Sequence, residues 1–500
     1  MQKKGEGVRG RRKRFFYFQL YIAACLLFVI VQLFLGTKIM LVMMAFVSLI
    51  LAGSILFYFG LYDIVALFAF GLLSKYSVLP FLIKSVMGER IDVGLLAVDK
   101  TFTVILVGSF LTLAALFAAK TVHIKKKLLD FPLSDKQLQV FGYLTYGLGF
   151  GLTMLHVLFK PTSIAGEVVG GFGGFGGFIG LLYLGVICIT AHLAKTDSKR
   201  IINKSLVLML AGALLLSFLD DAKLYFTLSL LAYIATLFLF GRKVTLRYVA
   251  GGLLMAVFYA GAVVPTIQVL RMDSFKAASL GQRADMVVDF VKHHVFESSD
   301  ATSLQALLFH YDYYPNLHTP IIDRLEMVQD LDLVLDGVNS SNKIGWQPIP
   351  MALLQITPHF LAPNKIPYAD VDIIGYRIGY MPTLMVRRRT MGLFGVSYAM
   401  FMWPGWMFIS FALMFIFFLL IRKLVHYSAM GNIFGIYVLV RYGINFTEVG
   451  VENLIVNMLR GIPMDVITIF IILAMARAIV HKNPQRMSVR TPAERQISRP

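Results

Sequence analysis

The chain has 500 residues, 58% of them hydrophobic and 15% charged, with a mean hydropathy of +0.73. A soluble domain carries about a quarter charged residues, so this balance excludes an ordinary soluble enzyme and indicates a polytopic membrane protein. The formal charge of +19 would point to nucleic acid in a soluble chain. Here the basic residues sit between apolar runs, where topology and anionic headgroups account for them, and no nucleic-acid partner is expected.

Residues 1–14 hold seven Lys/Arg and lead into the apolar run 15–35 without a small-residue cleavage site. That pattern reads as a first span with a cytoplasmic N-terminus, not a cleaved signal peptide. A bilayer core of ~30 Å needs about 20 apolar residues per helix. Further runs follow at 39–60, 61–85, 101–119, 138–159, 169–194, 205–219, 224–240 and 248–270, and after a long interval at 401–421, 432–446 and 464–480. Asp63, Lys75 and Pro80 interrupt the third run and predict a kinked or broken helix. Cys25 and Cys188 both fall inside apolar runs, so neither a disulfide framework nor a cysteine metal site is expected.

Twelve spans put both termini inside, and the Lys/Arg clusters at 125–127, 195–204, 242–247 and 422–423 then all face the cytoplasm. The expected fold is an all-α polytopic membrane protein of about twelve transmembrane helices with one large extracytoplasmic loop. It divides into a basic N-terminus (1–14), a nine-helix block (15–270), the loop (271–393), a three-helix block (394–481) and a basic tail (482–500) of disordered composition. The glycine-rich stretch 170–178 predicts a close helix-packing seam, since it has neither the pattern nor the context of a phosphate loop.

The loop is the long part of the chain not written in membrane language, and a connection of this length is usually a functional element. Within it, residues 320–331 carry apolar positions on one helical stripe and predict an amphipathic helix lying on the membrane. Pro350, Pro358, Pro363 and Pro367 predict an extended, rigid path that aims His359 and Lys365 at a ligand. Tyr376, Arg377 and Tyr380 then precede the triplet Arg387, Arg388 and Arg389, on the face where the positive-inside rule disfavours cations.

Such arginines either touch lipid headgroups or clamp a diphosphate, whose oxygens suit the guanidinium fork. His310, His318 and His359 are candidate general bases, although a loop histidine is more often structural or solvated. Trp346, Tyr313, Tyr314 and Tyr376 are candidates for stacking on sugars. Arg441 lies deep in the run 432–446, either as a site residue or as half of an internal ion pair, with Glu448 and Glu452 just beyond. Arg460 lies in the last outward connection, within reach of the loop's face, and Arg477 is expected to snorkel. No metal site and no cofactor are expected, since neither an H-E-x-x-H motif nor a dense carboxylate cluster is present.

The segment Asp323-Arg324-Leu325, followed by Ile349-Pro350 and Pro358-His359-Phe360-Leu361-Ala362-Pro363-Asn364-Lys365, resembles the Wzy-type oligosaccharide repeat-unit polymerases. Their large outer loop carries a stretch of the kind I-P-R-F-L-W-P-D-K-P, and the resemblance extends through Gly392–Phe401 to Pro404-Gly405-Trp406. Arg324 and Lys365 match best. The chain departs from the family pattern at His359, where the family tends to have Arg, at Ala362, where it has Trp, and at Val396, where an acidic residue is common.

The resemblance implies a fold like that of the GT-C-like O-antigen polymerases and ligases. It also implies a metal-independent glycosyl transfer at the outer face of a bacterial plasma membrane, joining repeat units carried on undecaprenyl diphosphate. The physical reading of the residues fits that proposal, with catalytic roles expected for Arg324, His359 and Arg441, and substrate contacts from Asp323, Lys365, Tyr376, Arg377, Arg387, Arg388, Arg389 and Arg460. Undecaprenyl-diphosphate-linked oligosaccharides and the lipid bilayer are the implied partners, with a chain-length regulator and a flippase beside them. The alternatives are an O-antigen ligase-like transferase, a transporter or flippase of lipid-linked glycans, and a non-enzymatic scaffold.

Overall fold

A computed structural model describes residues 8–158, 178–196, 201–220, 224–242, 326–357, 369–381, 391–448 and 450–482, with side chains from Phe15 onward except at Ile444. Among these residues the elements are helices, and no strand beyond the isolated bridge Asp63–Ser428 occurs. In chain order they are α1 (Val8–Phe34), α2 (Ile39–Phe59), α3 (Ile64–Leu73), α4 (Leu79–Val86), α5 (Val98–Thr121), α6 (Asp135–Leu158), α7 (Gly180–Thr196), α8 (Lys204–Leu219) and α9 (Leu224–Leu239). Then follow α10 (Val328–Gly337), α11 (Pro348–Ile356), α12 (Asp370–Arg377), α13 (Gly392–Leu424), α14 (Ile433–Glu448), α15 (Val451–Val456) and α16 (Ile462–Lys482). Two π-turns, Ser74–Val78 and Asn457–Gly461, join α3 to α4 and α15 to α16.

Seven described helical stretches are long and apolar enough to cross a membrane, and α7, α8 and α9 are shorter apolar helices. The chain is an all-α, multi-pass membrane protein. Large apolar side chains such as Leu208, Phe238 and Phe408 lie bare on the outside of the bundle, as they must where lipid is the solvent. Eleven of the twelve expected runs fall on described helices, while the run 248–270 lies outside the described residues.

Helix α14 is central and packs against α3, α7, α9 and α13. Helices α6 and α7 make the most extensive pairing, and glycines explain why. A Cβ on Gly149 would stand 2.8 Å from the backbone nitrogen of Leu182, and one on Gly185 would stand 2.8 Å from that of Tyr146. Small residues let backbones approach where lipid supplies no hydrophobic drive. The seam expected at 170–178 lies outside the described residues up to Gly177; the close approach seen among the described residues is that of α6 and α7.

The third run is broken as its sequence implies. Asp63 caps α3 by accepting from the Ala66 amide at 3.0 Å, and Pro80, which lacks an N–H, follows directly on the π-turn.

Three expectations need correction. Of the helix expected at 320–331, residues 320–325 lie outside the described residues; a helix runs from Val328 to Gly337, and Glu326 and Met327 precede it. Its apolar face lies in the bundle rather than on the bilayer: Val328, Leu331, Val334 and Leu335 are fully buried, against α5 and α13. The first part of the proline-rich path, Pro348–Ile356, is helical because Pro348 and Pro350 both stand in its first turn, where a missing N–H removes no helical bond. The last span starts at Val451 instead of 464, since α15, the π-turn and α16 run on as one helix. Helix α13 is likewise two rods: Gly392–Met400 is wholly buried, and non-helical backbone at Met402 and Trp403 separates it from the remainder.

Candidate functional site

The described parts of the loop, 326–357 and 369–381, sit on one end of the bundle, here termed the loop end, and buried carboxylates hold them there. Asp332, in the middle of α10, is fully buried. It accepts from the amides of Leu96 at 2.6 Å and Ala97 at 2.9 Å and from the Thr101 hydroxyl at 2.7 Å. It therefore caps the N-terminus of α5 from another part of the chain, where a negative charge meets amides without helical partners. Glu326 does the same for α10 itself, accepting from the amides of Val328 and Gln329.

Asp370 and Glu452 form a reciprocal brace. The Asp370 amide donates to Glu452 Oε2 and the Glu452 amide donates to Asp370 Oδ2, each at 2.8 Å. Two helix N-termini, those of α12 and α15, thus exchange carboxylates. Burial pushes the Asp370 carboxyl up to about 6, against the opposing pull of the amides of Glu452 and Val371.

Beneath this layer the π-turn at Ser74–Val78 bears Lys75. Its carbonyl accepts from the Met327 amide at 2.9 Å, and its ammonium ion-pairs with Glu448 at the end of α14. The second π-turn bears Arg460, which donates to the Gln355 carbonyl at 3.2 Å in the last turn of α11. Arg377 donates to the Lys343 carbonyl at 2.8 Å and to Gln347 Oε1 at 3.1 Å. Arg377 and Arg460 therefore bracket α11 at its two ends. Tyr376 and Trp346 are exposed beside them, and Trp346 packs edge-on to Phe401. π-turns concentrate at functional sites, and each of these carries a basic side chain, Arg460 within the layer and Lys75 beneath it.

Arg441 stands apart from that group. It pairs with Asp465 of α16 at 3.5 Å, not with Glu448 or Glu452. The hydroxyls of Tyr437 and Tyr442 each donate to Asp465 Oδ2 at 2.6 Å. Gly180, at the start of α7, leaves room for the cluster, since a Cβ there would lie 2.5 Å from the Tyr437 hydroxyl. This node joins α7, α14 and α16.

His359, Arg324, Asp323, Lys365, Arg387, Arg388 and Arg389 lie outside the described residues, as do His310, His318, Tyr313 and Tyr314. The structure brings Tyr376, Arg377 and Arg460 together around α11 and leaves Arg441 with Asp465. Sequence reasoning missed Asp332, Asp370 and Asp465. Asp332 had a signal, a carboxylate one turn from Val328 on an apolar stripe. Asp465 was hidden by the misplaced start of the last span, which made a buried acid look like an interfacial one.

Comparison of the chain with protein-family models, with curated proteins and with solved structures finds no match.

Proposed function

We propose that the protein is a bacterial plasma-membrane glycosyltransferase, with its termini in the cytoplasm, that joins lipid-linked oligosaccharide repeat units at the non-cytoplasmic face. The observation that carries this reading is the loop end. Residues 326–357 and 369–381 are fastened over two membrane helices that contain π-turns by Asp332 and the Asp370–Glu452 brace, with Arg377 and Arg460 in that layer and Lys75 beneath it. Such a platform at helix ends, fastened by buried acids and presenting Arg377 and Arg460, suits a lipid diphosphate, held at its phosphates while its sugar projects into the loop.

In this proposal Arg324 and the triplet Arg387–Arg389 neutralise the leaving diphosphate, and Lys365 contacts the same group. His359 takes the proton from the acceptor hydroxyl as that oxygen attacks the anomeric carbon and the bond to the diphosphate breaks. Exposed Tyr376 and Trp346 offer faces for sugars. Arg441, whose charge Asp465 meets, is a positioning residue that holds α14 in place, and Asp323 contacts the substrate.

The test is a deletion strain whose lipid-linked glycans are resolved by size, complemented with the wild type or with Arg324→Ala. The expected result is accumulation of single repeat units on the outer face and loss of long polymer, unrescued by Arg324→Ala at equal membrane abundance. Single units trapped on the inner face would instead identify a flippase, and normal-length polymer left on its carrier a ligase. Arg441→Lys, which keeps the ion pair with Asp465, should retain polymer. Unchanged polymer with both Arg324→Ala and Arg388→Ala would remove the diphosphate clamp altogether.

A further inference from the structure

The opposite end of the bundle holds a cavity of about 220 Å³ that the proposed reaction does not use. Lys120, Lys127 and Arg422 reach into it, and Ile64, Ile421 and Val425 supply its apolar wall. Three helix ends meet there: the start of α3 and the last turns of α5 and α13. The frame is built from backbone. The Ile64 amide donates to the Tyr427 carbonyl at 2.9 Å, and the Ala429 amide to the Tyr62 carbonyl at 2.8 Å. The amides of Leu128 and Leu129 donate to the carbonyls of Lys423 and Leu424, at 3.0 and 2.8 Å. These bonds fix the loop bearing Lys127 against the end of α13.

The charges in this frame do not balance. Asp63 ion-pairs with Lys120 while capping α3, and Asp130 acts on Lys127, but these two acids face four cations, Lys120, Lys127, Arg422 and Lys423. Among the described residues, Lys127 and Arg422 meet carbonyl oxygens rather than carboxylates. Lys127 donates to the Arg422 carbonyl at 2.6 Å, and Arg422 donates to those of Ala119 and Val122. Carbonyl dipoles orient a cation without cancelling it. Burial, and then the neighbouring Arg422 guanidinium, push the Lys127 ammonium below its ordinary value, against the opposing pull of Asp130.

We propose that this cavity binds the phosphate headgroup of an anionic membrane lipid, with the phosphate between Lys127, Arg422 and Lys120 and the apolar body of the lipid over Ile64, Ile421 and Val425. Two features favour a lipid over free phosphate. The walls around the cations are apolar, and the site lies level with the ends of three membrane helices, where headgroups are found. The occupant joins α3, α5 and α13 at the end opposite the loop. The inference does not depend on the glycosyltransferase reading.

The experiment uses the purified full-length chain, delipidated in detergent, with bound lipid counted by native mass spectrometry and thermal unfolding followed in the same samples. Phosphatidylglycerol, phosphatidylcholine and inorganic phosphate are the probes. Phosphatidylglycerol should bind in preference to phosphatidylcholine and raise the unfolding temperature. Lys127→Gln should weaken it roughly fivefold, the effect of about one basic contact to an anionic lipid, and Lys127→Arg should restore it. Lys125→Gln, an exposed neighbour outside the cavity, should leave binding unchanged.

Equal losses in Lys125→Gln and Lys127→Gln would overturn the proposal in favour of diffuse surface attraction. Lack of preference for the anionic lipid would overturn it too. Inorganic phosphate that alone reproduces the stabilisation, and displaces the lipid at millimolar concentration, would reassign the cavity to a free anion.

Discussion

The two ends of this bundle solve the same problem with opposite charges. A helix end leaves backbone groups without partners, and an end held in protein must find others. At the loop end, Asp332, Glu326, Asp370 and Glu452 all accept from backbone amides at helix N-termini. At the basic end, Lys127, Arg242 and Arg422 all donate to backbone carbonyls at helix C-termini. The sign of each side chain matches the dipole it meets. The charge bias that sets topology is thus also spent on structure, and the ends differ in what is fastened. Acids at the loop end hold a separate layer down, while bases at the basic end lock membrane helices to one another.

The comparison breaks hardest at Asp332. Its buried carboxylate holds the buried Thr101 hydroxyl and the part-buried amides of Leu96 and Ala97, so Asp332→Ala strands two amides and a hydroxyl at the start of α5. A loss of about 3–5 kcal/mol is expected from orphaned, charge-assisted bonds, read as a fall in the unfolding temperature of the solubilised chain. Limited proteolysis should open the 326–357 segment first while α1 and α2 remain intact. If the membrane helices melt together with the loop layer, the two ends are not separable units. Asp332→Asn, which keeps one acceptor, should fall between.

The packing seam of α6 and α7 sets the scale for a change that touches neither end. Gly185→Val drives a branched side chain into the backbone of Tyr146, and overpacking of this kind costs about 1–3 kcal/mol or more. Its loss should be insensitive to salt and pH, unlike those of the charged caps. A salt-dependent loss would mean that the seam had shifted the charged ends as well.

These contrasts were legible to different depths. Apolar length made the membrane helices visible, because lipid demands continuous runs and the chain supplies them. The start of the last helix was not visible, since Glu452, Asn453, Asn457 and Arg460 lower its hydropathy to that of a loop. In the fold Glu452 is satisfied by the Asp370 amide and Arg460 by the Gln355 carbonyl, so the helix runs through them. The charged residues of the candidate site were equally visible as residues, but their partners were not. Lys75 meets Glu448 across 373 positions and Asp332 meets Leu96 across 236. No local pattern encodes such pairings. Pro350 misled for a local reason, since a proline reads as extended until its place in a helix's first turn is known.

Asp370 sharpens the comparison through pH. Its carboxyl titrates near 6 in the fold, against an ordinary value of 3.8. Because the folded value is the higher one, protonation favours the fold. The contribution is complete below about 4 and is lost as pH rises through about 6. The neighbouring acids Asp372 and Glu452 face the same brace, so the isolating measurement is the difference between wild type and Asp370→Asn across that window. The wild type should gain on the order of 1–3 kcal/mol relative to the variant on acidification from pH 7 to pH 4. A flat difference would mean that the carboxyl is solvated and the brace open.

The smallest effect belongs to the basic end. Arg242 donates to the carbonyls of Leu193 and Ala194 at the close of α7. Because those carbonyls lie near the helix end, water takes over part of the role when the guanidinium is removed. Arg242→Gln should therefore cost only about 0.5–1 kcal/mol, and less in high salt. The contrast with Asp332→Ala is the point at issue. If Arg242→Gln proves as damaging as the loss of Asp332, the basic end is sealed from water as tightly as the loop layer, and its cations carry the fold rather than trim it.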